Sequence, residues 1–103
     1  MTLDDLFAVI ERRAKTASKE SWTAKLLAKG PEKCAEKFGE EAIEAIIEAV
    51  KGDKARLTSE AADVLFHLLV MLKSRDVAFG DVMDELARRQ GASGLDEKAG
   101  RTL

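Results

Sequence analysis

The chain is short and mixed in composition: it has 103 residues, 46% of them apolar and 35% charged, a net charge of −2 and one cysteine. This balance fits one small globular domain, and the lone Cys34 excludes an internal disulfide framework and favours the reducing cytoplasm. The slightly negative charge predicts no nucleic-acid partner. No apolar run approaches the ~20 residues that span a bilayer, so we expect no membrane partner, and the acidic start predicts no secretory signal.

The first third of the chain predicts two helical segments. Thr2 and Asp5 have the spacing of a capping box, in which each side chain accepts a hydrogen bond from the other residue's backbone N–H. The apolar stripe that follows predicts a first helix from Leu3 to Ala17. A short helical segment is expected over Ser21 to Lys29.

Two long helices are predicted in the middle of the chain. Pro31 suits the first position of a helix and Gly52 its end, so one helix should run from Pro31 to about Lys51. Asp53 can cap the next helix, which we expect to reach about Lys73.

The remaining chain predicts one more helix and a tail. Ser74 to Gly80 should form a turn, and a last helix should cover Asp81 to Gln90 and end at Gly91. Strand periodicity is absent, so we expect an all-α fold. We expect residues 1–91 to form the domain and residues 92–103 a polar, mobile tail.

Charged residues follow one face of the first long helix. On an ideal helix five of them fall within an arc of roughly 100°: Lys37, Glu40, Glu41, Glu44 and Glu48. From Phe38 onward most of the remaining circumference is apolar, which is more than a surface helix normally shows. We therefore expect this helix to be buried, with its acids facing an enclosed space.

The second long helix is more apolar still. Between Ala61 and Leu72 its only polar residues are Asp63 and His67, and with Glu60 they fall within roughly 60° of one another. The pattern predicts a helix that is buried all round, with one polar seam. An unpaired buried carboxylate is costly, so these acids need a counter-charge.

Two interpretations of the acids stay open at this point. Glutamate-rich helix faces are commonly just solvated, and Lys33 or Lys37 can neutralise the acids of the first long helix. That explanation is weaker for Asp63, because its own helix offers no cation within a turn except His67. A divalent cation would satisfy both acidic pairs, and an all-oxygen ligand set favours Mg²⁺ or Mn²⁺ over zinc.

Gly39 lies inside the first long helix, directly before Glu40. A mid-helix glycine costs about 1 kcal/mol relative to alanine. Three explanations stay open: simple tolerance, close packing of another helix, and space for a ligand beside the acids.

The acidic spacing resembles the signature of one superfamily. Glu40-Glu41-x-x-Glu44 followed by Glu60-x-x-Asp63 is similar to the metal-binding pattern of the all-α, MazG-like nucleotide pyrophosphohydrolases. More of the chain resembles one branch, the phosphoribosyl-ATP pyrophosphohydrolase family. The segments that carry this resemblance are Ser21 to Gly30, Lys37 to Glu41 and Glu60 to Val70.

The resemblance implies a fold and an activity. It implies an all-α, MazG-like bundle of about four to five helices whose core is completed by homodimerisation. It also implies Mg²⁺-dependent hydrolysis of phosphoribosyl-ATP to phosphoribosyl-AMP and pyrophosphate, the second step of histidine biosynthesis, with Mn²⁺ as a possible substitute for Mg²⁺. The departures are small: Trp22 and Phe66 stand where tyrosine is more usual.

The resemblance also assigns site residues, while leaving open whether one or two ions bind. The metal ligands it implies are Glu41, Glu44, Glu60 and Asp63, and the catalytic residues are Glu40 and Glu41, with Glu40 orienting or deprotonating the water. As substrate-binding residues we expect Ser21, Thr23, Lys29, Lys37 and His67. His67 can alternatively orient Asp63 or pack at an interface, and Trp22 can stack on a base, although we expect it to pack in the core.

Three other functions would fit parts of the pattern. A house-cleaning pyrophosphohydrolase of the same superfamily would act on canonical or damaged nucleoside triphosphates, but the segment from Ser21 to Gly30 argues against it. A di-iron bundle uses Glu-x-x-His pairs, whereas this chain has Glu60-x-x-Asp63. A non-enzymatic helical interaction module would use the acids only structurally.

Overall fold

Two long antiparallel helices form the frame of the computed structural model, which describes residues 1–91. The elements are α1 (Leu3–Ala14), a 3₁₀ turn (Ser18–Glu20), α2 (Trp22–Ala28), α3 (Pro31–Lys51), α4 (Lys54–Ser74) and α5 (Phe79–Gln90). Residues 1–91 contain no strand, so the predicted all-α class and number of helices are confirmed. None of these helices has the length and apolar character needed to cross a membrane. The predicted tail lies outside the described residues.

The hairpin of α3 and α4 begins and turns where the sequence predicts. Pro31 is the first residue of α3, and Gly52 ends it in the left-handed region at φ 77°, which glycine adopts without strain. Asp53 then caps α4, because its Oδ1 accepts a hydrogen bond from the backbone N–H of Arg56 at 3.0 Å. This two-residue connection makes α3 and α4 antiparallel neighbours along their length.

The first helix begins as predicted but ends earlier. Thr2 and Asp5 form the capping box, with hydrogen bonds of 3.1 and 2.9 Å. The helix ends at Ala14 rather than Ala17. Beyond Ala14 the chain offers no apolar side chain to continue the buried stripe until Ala17, whose backbone is already extended.

The last helix begins two residues before its predicted start. α5 starts at Phe79 instead of Asp81, although its N-cap residue, Ala78, offers no side-chain hydrogen bond. Phe79 is buried and its ring lies 6.2 Å from that of Phe7. Burial of this aromatic ring stabilises the helix start where a cap is lacking.

The hydrophobic core lies at one end of the hairpin. It joins the short helices to the beginning of α3 and the end of α4, and its buried members are Phe7, Ile10, Leu26, Cys34, Leu69, Val70 and Phe79. Cys34 is a free thiol whose Sγ donates to the carbonyl of Leu26 at 3.5 Å.

The other end of the hairpin is exposed in the single chain. Ile46 is 60% exposed and Val50 84% exposed on α3, and Ala61 and Leu65 are exposed on α4. The predictions that α3 is buried from Phe38 onward and that α4 is buried all round are therefore wrong for one chain. Apolar periodicity predicts which helix surfaces favour burial, but a surface is buried only where another helix packs on it. In the described chain α1, α2 and α5 pack at the core end of the hairpin.

Candidate active site

Carboxylates of the two long helices converge where α3 faces α4. Because the helices run antiparallel from the turn at Gly52, Glu41 on α3 comes level with Glu60 and Asp63 on α4. One carboxylate oxygen from each of these three residues lies within 4.8 Å of the others. Like charges at this distance repel unless a proton or a cation neutralises them. Three of the four predicted metal ligands are therefore brought together.

Glu44, the fourth predicted ligand, raises the pKa of two of these carboxyl groups. Burial is the main cause that raises the pKa of Glu41 and of Glu60, and the charge of Glu44 and a hydrogen bond with it raise both further. The charge of Asp63 adds to both shifts. Glu41, Glu44, Glu60 and Asp63 thus form one electrostatic unit, referred to below as the acidic cluster.

The acidic cluster fits a hard divalent cation. Its donor atoms are all carboxylate oxygens, which Mg²⁺ and Mn²⁺ prefer. Glu60 Oε2 is buried and has no hydrogen-bond partner among the described residues. A buried acceptor without a partner costs free energy, and a cation between the carboxylates would remove that cost.

Asp63 is more accessible than its sequence context suggests. The apolar run around it predicts little access to water, yet Asp63 is exposed in the single chain. That prediction is wrong because, within residues 1–91, the hydrophobic core lies at the other end of the hairpin, around Leu69 and Val70 of α4.

His67 faces Glu41 on the opposite helix. The imidazole is buried, and its Nε2 lies 4.0 Å from Glu41 Oε1, too far for a hydrogen bond. Burial, followed by the charge of Lys37, lowers the pKa of His67, so the ring is neutral near pH 7. Its Nδ1 is buried and has no hydrogen-bond partner within residues 1–91.

Lys37 lies between two of the acids of α3. Its Nζ is 3.2 Å from Glu40 Oε2 and 3.8 Å from Glu41 Oε1. The hydrogen bond with Glu40 is the main cause that raises the pKa of Lys37, so the amine stays charged. Glu40 itself is exposed and lies beside the acidic cluster rather than within the converging group.

The other predicted substrate residues lie in α2 or at its two ends. Ser21 caps that helix, since its hydroxyl accepts a hydrogen bond from the backbone N–H of Ala24 at 3.2 Å. Thr23 is only 1% exposed. Lys29 is exposed at the C-terminal end of α2, and none of the described residues forms a hydrogen bond or ion pair with its amine.

A cavity of about 400 Å³ opens beside α2. It is lined by Arg13, Thr16, Glu20, Ser21, Trp22, Thr23 and Phe66, and we call it the Trp22 cavity. Trp22 is 53% exposed, so the expectation that it packs in the core is wrong. Its ring is instead available to a ligand. Sequence reasoning did not single out Arg13, because its partners in the cavity come from other helices.

Glu48 is a fifth acid that sequence reasoning left without a role. It is only 6% exposed, its Oε2 has no hydrogen-bond partner in the described part of the chain, and its charge helps to raise the pKa of Glu60. Its Oε1 lies 3.6 Å from Lys51 Nζ. The sequence feature that indicates a role for Glu48 is its position one helical turn after Glu44 on the acidic face.

An all-α bundle with an acidic cluster between two long antiparallel helices defines a MazG-like protein. Within that class, the sequence model of the phosphoribosyl-ATP pyrophosphohydrolase family matches residues 3–90, and the chain belongs to this family.

Relatives from several bacteria resemble the chain over nearly its whole length. A protein of Ruegeria pomeroyi is 72% identical, with 96% of this chain and 94% of the relative covered. Proteins of Dinoroseobacter shibae and Cereibacter sphaeroides are 71% and 69% identical over 93% and 96% of this chain, covering 94% and 96% of those relatives. All three relatives are named phosphoribosyl-ATP pyrophosphatase.

Proposed function

We propose that the chain hydrolyses phosphoribosyl-ATP to phosphoribosyl-AMP and pyrophosphate, the second step of histidine biosynthesis. One observation carries the proposal: in a chain of this family, Glu41, Glu60 and Asp63 converge with donor atoms within 4.8 Å. The names of three relatives that are 69%, 71% and 72% identical support the same substrate. A biosynthetic enzyme with one buried, free cysteine suits the reducing cytoplasm, where we place it.

Mg²⁺ is the proposed cofactor, with Mn²⁺ as a substitute. The ligands would be Glu41, Glu44, Glu60 and Asp63. Two observations support this assignment: Glu60 Oε2 is buried without a hydrogen-bond partner among the described residues, and the pKa of Glu41 is raised. Such a cation supplies Lewis-acid polarisation of phosphoryl oxygens. The carboxylates must be ionised to hold it, so cation binding and deprotonation of the acidic cluster are linked.

Glu40 is the proposed group that orients and deprotonates the attacking water. Its carboxylate is exposed, lies beside Glu41 in sequence and is held by Lys37 at 3.2 Å. Water loses a proton to Glu40 as its oxygen bonds to the α-phosphorus, and the bond from that phosphorus to the departing pyrophosphate breaks. General-base assistance of this kind contributes roughly 10²- to 10⁴-fold to a rate. Glu41, which follows Glu40 in the sequence, takes part as a ligand of the cation.

The cationic and hydroxyl groups near the acidic cluster are proposed to bind substrate. Lys37 contacts a phosphate, exchanging part of its pairing with Glu40 for the incoming charge. The neutral His67 packs behind Glu41 and contributes a ring N–H for the substrate or for that carboxylate. Ser21 and Thr23 line the cavity beside α2, and Lys29 adds positive charge at the end of that helix.

The test is release of pyrophosphate from phosphoribosyl-ATP with and without Mg²⁺. We expect turnover only when Mg²⁺ or Mn²⁺ is present, and loss of turnover after chelation. Free ATP and other nucleoside triphosphates, assayed alongside, should release far less pyrophosphate. Faster release from those triphosphates would support a house-cleaning enzyme, and no release from any substrate would contradict an enzymatic role.

We also propose that the chain forms a homodimer through the exposed half of the hairpin. That surface contains Ile43, Ile46, Ile47, Val50 and Leu65. A contiguous apolar surface of this kind is unfavourable in water and typical of an interface. A second copy would supply the layer that this surface lacks within residues 1–91.

Sedimentation velocity tests this dimer. The wild type should sediment as a dimer, and Ile46→Glu should shift it towards monomer, because a charge in an apolar interface is costly. Met83→Glu, which changes an exposed apolar residue of α5, is the matched control and should leave the dimer intact. A monomeric wild type would contradict the proposal.

A further inference from the structure

The Trp22 cavity lies next to the acidic cluster. Phe66 forms part of its wall, and the Phe66 ring meets the His67 ring nearly edge-on, with centroids 5.1 Å apart. His67 Nε2 in turn lies 4.0 Å from Glu41 Oε1. The rings of Phe66 and His67 therefore connect the wall of the cavity to Glu41, so a ligand in the cavity lies on the side of the acidic cluster that His67 faces.

The cavity lining combines a cation, an acid and aromatic rings. Arg13 is exposed, and its guanidinium forms no hydrogen bond or ion pair with any described residue. A guanidinium without a protein partner can bind a phosphate group through two parallel hydrogen bonds. Glu20 also lines the cavity, and a carboxylate only accepts hydrogen bonds, so it suits hydroxyl donors. Trp22 and Phe66 offer rings on which a base can stack.

A ribose phosphate attached to a nucleobase has the three complementary parts. Its phosphate matches Arg13, its ribose hydroxyls match Glu20, and the base matches Trp22. A bare phosphate ion would gain nothing from the carboxylate. Phosphoribosyl-ATP carries such a group on its base, away from its triphosphate, whereas ATP lacks it.

We propose that the Trp22 cavity binds the phosphoribosyl group of the substrate, with Arg13 on its phosphate, Glu20 on its ribose hydroxyls and Trp22 against the base. This proposal rests on the proposed function. The acidic cluster would then take the triphosphate with its cation while the cavity takes the opposite end. Anchoring at both ends distinguishes phosphoribosyl-ATP from ATP.

Steady-state kinetics with two matched arginine variants tests the proposal. Arg13→Gln should raise KM for phosphoribosyl-ATP by about 10- to 100-fold, the range expected for a lost charged hydrogen bond, with kcat little changed. Arg12→Gln removes the same charge one residue earlier, from an exposed side chain outside the cavity, and should leave both constants near wild type. Equal shifts in both variants, or a fall in kcat alone, would overturn the assignment.

A binding measurement keeps this proposal separate from the proposed function. Trp22 is the one tryptophan of the chain, so its fluorescence reports on the cavity directly. Titration with ribose-5-phosphate should give a saturable change in the wild type, a Kd at least about tenfold weaker in Arg13→Gln, and no change with plain ribose. If the wild type responds but does not hydrolyse phosphoribosyl-ATP, only the proposed function fails. If it hydrolyses the substrate but ribose-5-phosphate causes no change, the cavity assignment fails.

Discussion

Replacing Asp63 by asparagine should change cation affinity and metal-free stability in opposite directions. The Asp63 carboxylate lies within 4.8 Å of donor atoms on Glu41 and Glu60, and its charge raises the pKa of both. If Asp63 had only a structural role, its carboxylate would stabilise the folded protein. If Asp63 is a metal ligand, its charge repels the neighbouring carboxylates and destabilises the metal-free folded protein. The sign of the stability change therefore distinguishes the two roles.

The size of the effect follows from the separation of the charges. Two unit charges 4.8 Å apart repel by about 0.9 kcal/mol in a water-like dielectric. Because Asp63 is exposed, we take about 0.5 to 1 kcal/mol as the gain in the free energy of unfolding of metal-free Asp63→Asn. Loss of one anionic ligand should weaken Mn²⁺ binding by at least about tenfold, which corresponds to roughly 1.4 kcal/mol.

Two measurements give the answer. Urea unfolding in the presence of a chelator reports the metal-free stability, and electron paramagnetic resonance of free Mn²⁺ reports the affinity. Asp84→Asn changes an exposed aspartate of α5 outside the acidic cluster and should alter neither quantity. A destabilised Asp63→Asn that keeps wild-type Mn²⁺ affinity would refute the assignment of Asp63 as a ligand.

Three further predictions concern the same region. Glu40→Gln should lower kcat by roughly 10²-fold or more without weakening Mn²⁺ binding, since it removes a base and not a ligand, and a parallel loss of Mn²⁺ affinity would make it a ligand instead. Gly39→Ala should raise the free energy of unfolding in urea by up to about 1 kcal/mol, because an added Cβ would meet nothing within 4 Å; a lower stability would contradict this. In metal-free protein the folded-state pKa of Glu41 and Glu60 is raised, so the folded state binds extra protons just above pH 4.5 and loses stability as pH rises through that window. Mg²⁺ should therefore raise Tm more near pH ~7.5 than near pH ~5, and an equal rise at both would count against these two ligands.

Local signals determined most of the helix boundaries. Pro31, Gly52 and Asp53 set the hairpin because each acts through its own backbone or side chain, and the Thr2 capping box acts the same way. The start of α5 was predicted two residues late, because it depends on Phe79 packing against Phe7 rather than on a cap. No other helix of the described chain packs closely against Gly39, since an added Cβ would meet nothing within 4 Å there.

The sequence by itself determined which residues share a helix face, and hence which acids could meet. Helical periodicity is a property of each helix alone, so the acidic faces of α3 and α4 could be predicted. Only the tertiary structure decided which atoms converge: Glu41 with Glu60 and Asp63, His67 against Glu41, and Arg13 with Trp22 in one cavity. These contacts join residues far apart in the chain, and their distances depend on how the helices pack. The same packing left the far half of the hairpin uncovered within residues 1–91, because the short helices of that part pack around the core end.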